Sequence, residues 1–224
     1  SYINAQIALP TFQAVHKPHT ITSSSTVGPV IAGRYVQTGA ILANGTVKFW
    51  GYNAYGQLGQ GNKTRIGVGS GEMGDNLAAI DLGTGRTATA VAAGAYHTIV
   101  LLDNGTVKAW GYNYYGQLGQ GHTSYIGDGS GEMGDNLPAI DLGTGRTATA
   151  ISLGAYISVA LLDNGTVKAW GYGYYGCPGQ GNNQNIGDGS EIGSVTFGSQ
   201  SAKQVSISGT YNSGGNGSLI IGTN

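Results

Sequence analysis

The sequence predicts an all-β protein that is built from repeated units. Three observations support this prediction: one short segment recurs at a fixed distance, each copy contains a hairpin pattern, and no long segment has the 3.6-residue period of a helix. "LLDNGTVKAWGY" stands at 101–112 and again at 161–172, and the near copy "ILANGTVKFWGY" stands at 41–52, sixty residues before the first. Repeats of this kind are typical of supersecondary units that bury their faces against one another.

Each unit contains one predicted hairpin. In "HTIVLLDNGTVKAWG" (97–111), two β-prone runs flank Asn104-Gly105, a pair that supplies the positive φ angles of a two-residue type I′ turn. The first run is apolar throughout, as expected for a strand that is covered on both faces. A further strand is predicted over 87–93 and, in the next unit, over 147–153. The loop "GYNYYGQLGQG" follows the hairpin, and its tyrosines are expected to cover the neighbouring unit.

The composition excludes several classes of function. Only 9% of the 224 residues are charged, with 10 basic and 11 acidic side chains, so the chain offers no basic footprint for nucleic acid or for an anionic membrane. No apolar stretch approaches the length of a transmembrane helix. Glycine is unusually frequent, at 42 residues, but valine, isoleucine and 14 tyrosines favour a folded core over disorder. Cys177 is the only cysteine, which rules out an intrachain disulfide.

The segment 91–121 resembles the repeat of the regulator of chromosome condensation (RCC1-like) family. A small-small-glycine stretch, His97, an apolar strand, a glycine turn, Trp-Gly-x-Asn and Gly-Gln-Leu-Gly follow one another in the order of that repeat. The resemblance covers about 31–181, in a short variant of phage or bacterial type, and implies a β-propeller of four-stranded blades with a structural, hydrogen-bonded histidine. The structural positions of this pattern are Trp50, Trp110, Trp170, Gly45, Gly105, Gly165 and His97.

The repeats divide the chain into five segments. These are an extended N-terminal arm at 1–30, three propeller-type repeats at 31–90, 91–150 and 151–202, and a degenerate fourth repeat at 203–224. Three tryptophan-bearing units are too few for the family's usual ring, so an incomplete or small propeller is predicted. Three arrangements stay open: the N- and C-terminal segments together form a further blade, they cap an open arc, or partner chains complete the sheet.

No catalytic or cofactor site is predicted. The G-x-G-x-x-G patterns at 69–74 and 129–134 lack the following helix that dinucleotide binding needs. His16 and His19 would bind a metal only together with ligands from elsewhere. A polysaccharide-cleaving enzyme is the weakest hypothesis, because the sequence shows neither paired carboxylates nor a Ser-His-acid set.

One acidic loop contains weak candidates for calcium ligands. Asp128, Glu132 and Asp135 gather in the second repeat, and Ca²⁺ prefers several oxygen ligands. Their spacing fits no calcium-loop pattern, and Asp128 is replaced by Val68 in the first repeat. A self-capping turn is therefore preferred over a metal site.

These observations predict a non-catalytic structural or recognition protein without a cofactor. The main hypothesis is an outer virion component, such as a decoration, tail or fibre protein, on a virion or an extracellular surface, with the cytoplasm as an open second location. The alternative is a propeller-like regulator or inhibitor that binds proteins through its repeat faces, as the family resemblance implies. The expected partners are proteins or copies of the chain itself in a homo-oligomer, without nucleic acid or membrane.

Overall fold

The computed structural model describes residues 30–34, 36–208 and 218–219, and within them it is an all-β protein, as predicted. The strands are β1 (Val30–Arg34), β2 (Gln37–Ile41), β3 (Val47–Gly51), β4 (Ala88–Ala93), β5 (His97–Leu102), β6 (Val107–Gly111), β7 (Ala148–Leu153), β8 (Ile157–Leu162), β9 (Val167–Gly171), β10 (Ser194–Val195), β11 (Ile207–Ser208) and β12 (Ser218–Leu219). Two 3₁₀ turns lie at Gly74–Asn76 and Gly134–Asn136. No helix in these ranges is long and apolar enough to cross a membrane.

Each repeat forms one antiparallel sheet whose strands follow in chain order. Blade 1 consists of β1–β3, blade 2 of β4–β6, and blade 3 of β7–β10. Blade 3 has a fourth strand, because β10 pairs with β9. In blade 2 the chain makes one backbone hydrogen bond to the outer strand, β6, at the corresponding position. The N–H of Ile140 donates to the C=O of Val107 (2.8 Å). The strands predicted at 87–93 and 147–153 are β4 and β7.

The hairpin turns differ from the predicted two-residue form. In blade 2 the N–H of Gly105 donates to the C=O of Leu102 (3.0 Å), so the tight turn centres on Asp103 and Asn104 and not on Asn104 and Gly105. Gly105 follows at φ 78°, in the left-handed region. The result is a three-residue loop with a glycine bulge, closed by a bond from the N–H of Leu102 to the C=O of Thr106 (2.9 Å). The Asn104 side chain favours this form because it accepts bonds from the N–H and the hydroxyl of Thr106.

The hydrophobic cores lie between the blades. Every residue of β5 and β6 is buried, because one face of blade 2 packs on blade 1 and the other on blade 3. One cluster joins Phe49 of blade 1 to Val100 and Trp110 of blade 2, and a second joins blade 2 to blade 3. A third cluster lies between blade 3 and the segment that contains Val205 and Ile207. Each repeat therefore completes its core only with its neighbours.

A backbone contact that joins consecutive repeats recurs beside blade 3. The N–H of Ala202 donates to the C=O of Gly165 (3.0 Å), as Ala148 does to Gly105 (2.9 Å) one unit earlier. The predicted fourth repeat at 203–224 follows this contact, and Gly209 and most of that repeat lie outside the described residues. The same holds for the predicted arm up to residue 29, with His16 and His19.

Candidate functional site

The tryptophans of the second and third repeats connect their blades to the preceding repeat. Trp110 is fully buried, and its Nε1–H donates to the C=O of Gln57 in the loop after blade 1 (3.0 Å). The hydroxyl of Thr98 donates to the same carbonyl (2.9 Å). Trp170 repeats this contact on the C=O of Gln117 (2.9 Å). These bonds fix each "GQLG" loop on the next blade.

Trp50 occupies the same repeat position in a different environment. It is half-buried, and no bond like those of Trp110 and Trp170 is found for it among the described residues. The structure therefore provides one half-buried and two fully buried examples of the same side chain.

His97 belongs to a buried row that connects consecutive blades. Gln37, at the same repeat position in blade 1, donates from Nε2 to the C=O of His97 (3.0 Å). His97 Nε2 lies 3.1 Å from the hydroxyl oxygen of Ser158 in blade 3. Ile157 takes this position in blade 3 and joins the apolar cluster that includes Ile207. The position makes contacts between blades, whether its residue is polar or apolar.

The hairpin glycines allow neighbouring blades to approach. Gly45, Gly105 and Gly165 have φ angles of 79°, 78° and 79°. A Cβ atom on Gly105 would lie 2.6 Å from the side chain of Thr147 in the next blade. Glycine is thus needed here for both its backbone conformation and its small size.

The three weak calcium candidates do not converge. Glu132 accepts bonds from two backbone N–H groups of its own loop (2.8 and 2.9 Å), which is the self-capping turn. Asp128 forms an ion pair with Lys63 (2.8 Å), and Asp135 accepts bonds from the N–H and hydroxyl of Thr84 (2.8 and 2.5 Å). In the part of the chain that the structure describes, no group of three or more His, Cys, Asp or Glu side chains is arranged to hold a metal ion.

A continuous patch of aromatic rings covers one end of the blades. We call it the tyrosine face; it contains every tyrosine of the described residues. Its members are Tyr52, Tyr55, Tyr96, Tyr112, Tyr114, Tyr115, Tyr125, Tyr156, Tyr172, Tyr174 and Tyr175. Neighbouring ring centroids lie 4.6 to 6.5 Å apart, the range of favourable aromatic contacts.

The strand order brings these tyrosines to the same end. Tyr112 follows β6, and its N–H donates to the C=O of Tyr96, between β4 and β5 (2.9 Å). Tyr172 and Tyr156 repeat this contact in blade 3 (3.0 Å). The hairpin turns lie at the opposite end of the strands. Stacking of the blades then joins the tyrosines of separate repeats into one surface.

The rim of the tyrosine face is open to solvent. Tyr114, Tyr174 and Tyr175 are 61%, 62% and 54% exposed. Tyr114 stacks on Tyr112 with 22° between the ring planes, and Tyr174 stacks on Tyr172 with 14°. The underlying rings hold the exposed rings in place.

The inner rings of the face carry neutral hydroxyls. Burial, followed by the neighbouring tyrosines, raises the pKa of Tyr112 well above the ordinary tyrosine value. Burial likewise raises the pKa of Tyr125 and of Tyr172. At neutral pH these three tyrosines therefore keep neutral hydroxyls, and together with the ring surfaces of the face they suit contact with another molecule.

Sequence reasoning assigned these tyrosines to packing between units and missed the shared surface. The available signal is the pattern Gly-Tyr-x-x-Tyr-Gly, which occurs at 51–56, 111–116 and 171–176. The pattern shows recurrence, but it does not show that the copies meet.

Two models of the regulator of chromosome condensation (RCC1) repeat match the chain. One matches residues 88–117 and 148–177, and the other matches 104–161. The RCC2 homolog of Xenopus laevis is 31% identical over 154 residues, which are 68% of this chain and 26% of that protein. The ultraviolet-B receptor UVR8 of Arabidopsis thaliana is 28% identical over 158 residues, 69% of this chain and 31% of the receptor. Human E3 ubiquitin-protein ligase HERC2 is 28% identical over 76% of this chain and 3% of the ligase. The chain spans less than a third of each of these relatives.

Two solved structures have a similar fold. Prp20p from Saccharomyces cerevisiae, whose binding to Gsp1p and histones has been characterised, gives a TM-score of 0.59 at 18% identity, over 80% of this chain and 41% of Prp20p. Yeast RCC1 (Prp20) bound to Kap60 gives 0.56 at 20% identity, over 79% of this chain and 39% of that chain. At sequence identities of 18% and 20%, the similarity to these structures shows a similar fold and nothing more specific.

Proposed function

The chain is an RCC1-like repeat protein with a β-propeller-type fold, and from this premise we propose that it is a non-catalytic module that binds a protein partner through its tyrosine face. The observation that supports this proposal most directly is the open, uncharged rim of the face. Three rim tyrosines are more than half exposed; Tyr114 and Tyr174 stack on Tyr112 and Tyr172, and Tyr175 meets Tyr172 edge to face.

Tyrosine is well suited to such a surface. It presents a large apolar area and one polar group while losing little side-chain entropy on binding, and it is enriched at the energetic centres of protein interfaces. Here the rings already pack on one another, so their side chains lose less conformational entropy when a partner binds. The ion pair between Lys63 and Asp128, which lies near Tyr125, adds a polar edge.

The relatives favour the alternative of a protein-binding regulator over the virion component expected first. The yeast structures belong to proteins that bind Kap60, Gsp1p and histones. The HERC relatives are named as ligases, but this chain matches only 3% and 13% of HERC2 and HERC5, so ligase activity is not assigned to it. Self-association and a location on a virion or an extracellular surface stay predictions.

The test is binding by a rim variant. The triple change Tyr114→Ser, Tyr174→Ser and Tyr175→Ser alters exposed side chains and is expected to leave the fold intact. The wild-type chain captures its partner from a lysate of the source organism, the partner is identified and purified, and its Kd is measured by calorimetry. The rim variant should bind at least ten-fold more weakly, since loss of buried aromatic contacts costs about 1–2 kcal/mol or more.

Val68→Ser provides the matched control. Val68 is 71% exposed and lies outside the tyrosine face, so its loss should leave the Kd unchanged. Equal affinity of the rim variant and the wild type for the purified partner would refute the proposed surface.

A further inference from the structure

A pocket between blades 2 and 3 is about twice as large as the pocket at the equivalent place between blades 1 and 2. Its volume is about 530 Å³, against about 250 Å³. Corresponding repeat positions line both pockets, such as Gln120 and Asp141 in the larger one and Gln60 and Asp81 in the smaller one. Only the larger pocket is also lined by a lysine, Lys168.

The size difference comes from a shorter loop in the third repeat. The second repeat reaches its contact with the outer strand through "GDGSGEMGDNLPAI" (127–140), 14 residues, whereas the third uses "GDGSEIGSV" (187–195), 9 residues. Both segments end at the same place, since Ile140 bonds to Val107 and Val195 pairs with Val167. The third repeat therefore lacks a counterpart of the 3₁₀ turn at Gly134–Asn136.

That turn fills the space between blades 1 and 2. The Asp135 carboxylate accepts bonds from the N–H and hydroxyl of Thr84 (2.8 and 2.5 Å). The N–H of Gly134 donates to the C=O of Asp81 (3.1 Å), and Lys108 Nζ donates to the C=O of Gly134 (2.8 Å). The bonds from Thr84, followed by the charge of Lys108, hold the pKa of Asp135 below its usual range. The space between blades 1 and 2 thus binds the Gly134-Asp135 segment through both its backbone and its carboxylate.

The same binding groups recur between blades 2 and 3, sixty residues later. Thr144, Asp141 and Lys168 occupy the repeat positions of Thr84, Asp81 and Lys108, and all three line the larger pocket. The Asp141 carboxylate accepts a bond from the N–H of Gly143 (2.8 Å), so one of its oxygens is engaged by its own loop. Lys168 Nζ donates to the C=O of Ile192 (2.8 Å) at the edge of the pocket.

We propose that the pocket between blades 2 and 3 binds an acidic peptide segment of a protein partner, with an aspartate carboxylate bonded to Thr144 and the preceding peptide carbonyl near Lys168, as Asp135 and Gly134 bind to Thr84 and Lys108 between blades 1 and 2. A peptide fits better than a free carboxylic acid, because two of the bonds between blades 1 and 2 use the backbone of Gly134. The site is separate from the tyrosine face, so either site can fail while the other binds.

The negative charge of Glu191 gives this pocket a property that can be tested by mutation. Glu191 is exposed and lines the pocket, where its negative charge opposes a bound carboxylate. Removal of this charge should therefore strengthen binding of the peptide.

The experiment uses a labelled peptide that copies residues 132–138 of this chain, "EMGDNLP", with blocked ends, and the full chain. Fluorescence anisotropy should show saturable binding. The Lys168→Gln and Thr144→Val variants, and a peptide with asparagine in place of aspartate, should each weaken binding about ten-fold. Glu191→Gln should strengthen it several-fold, which a folding defect does not imitate. Lys48→Gln is the matched control, because Lys48 holds the same repeat position in blade 1 and contacts Gly74.

Three outcomes would overturn the proposal. They are absence of binding at about millimolar peptide, equal binding of the asparagine peptide, and displacement of the peptide by N-acetyl-aspartate amide at equal concentration, which would indicate a small-acid site. The rim variant of the tyrosine face should bind the peptide like the wild type, so failure of this site is distinguishable from failure of the proposed partner surface.

Discussion

Replacement of Trp110 by alanine tests whether the repeat tryptophans hold the blades together. The indole is fully buried between blades 1 and 2, and its ring meets Phe49 edge to face at 6.3 Å. A buried aromatic side chain removes roughly 150–250 Å² from water, which at about 25 cal/mol per Å² corresponds to about 4–6 kcal/mol. Alanine retains part of this burial. The lost N–H bond adds at most about 1 kcal/mol, because the Gln57 carbonyl keeps its bond from Thr98.

Trp110→Ala should therefore lower the free energy of unfolding by about 3–5 kcal/mol. The assay is urea unfolding followed by far-UV circular dichroism, so that loss of the fluorophore does not affect the signal. Trp50→Ala is the matched control, because the same residue in the same repeat position is less buried, and a smaller cost is expected. A cost below about 1 kcal/mol for Trp110→Ala, or equal costs for both variants, would refute the packing argument.

Two further predictions concern a close approach between units and the tyrosine face. Gly116 and Gly121 have φ angles of 74° and 72°, but a Cβ atom would meet the backbone N of Asp188 at 2.5 Å only at Gly116. Gly116→Ala should lower the melting temperature clearly more than Gly121→Ala, and equal shifts would contradict the contact. Because folding raises the pKa of Tyr112, the folded state retains this proton when the unfolded chain loses it. The contribution of Tyr112 to the free energy of unfolding should be constant below the ordinary tyrosine pKa of about 10. Above that pH the free energy of unfolding should fall as pH rises, more steeply in the wild type than in Tyr112→Phe.

Local sequence patterns predicted the strands correctly, but they did not predict the position of the hairpin turn. The β-prone runs around 97–111 and the segment 147–153 form the predicted strands, because their apolar residues meet the burial that stacked blades provide. The predicted two-residue turn at Asn104-Gly105 is wrong by one position. A glycine with positive φ fits both the two-residue and the three-residue loop, and the bonds between the Asn104 side chain and Thr106 favour the longer loop.

The acidic loop shows a second limit of sequence reasoning. Asp128, Glu132 and Asp135 are close in the sequence, yet each side chain binds a different partner. Two of these partners, Lys63 and Thr84, belong to the preceding repeat. Such contacts depend on how one repeat lies against the next, which the spacing of the acidic residues does not report.

The sequence by itself determined the all-β repeat architecture, the RCC1-like resemblance and the positions that recur, because these depend on periodicity and on short-range backbone preferences. The tertiary structure alone decided which copies of a residue are buried, that tyrosines from separate repeats form one face, and that a loop shorter by five residues (14 against 9) leaves a pocket lined by Lys168. The physical reason is that the chain repeats along one dimension, whereas burial, ring contacts and pocket volume arise only when consecutive blades stack.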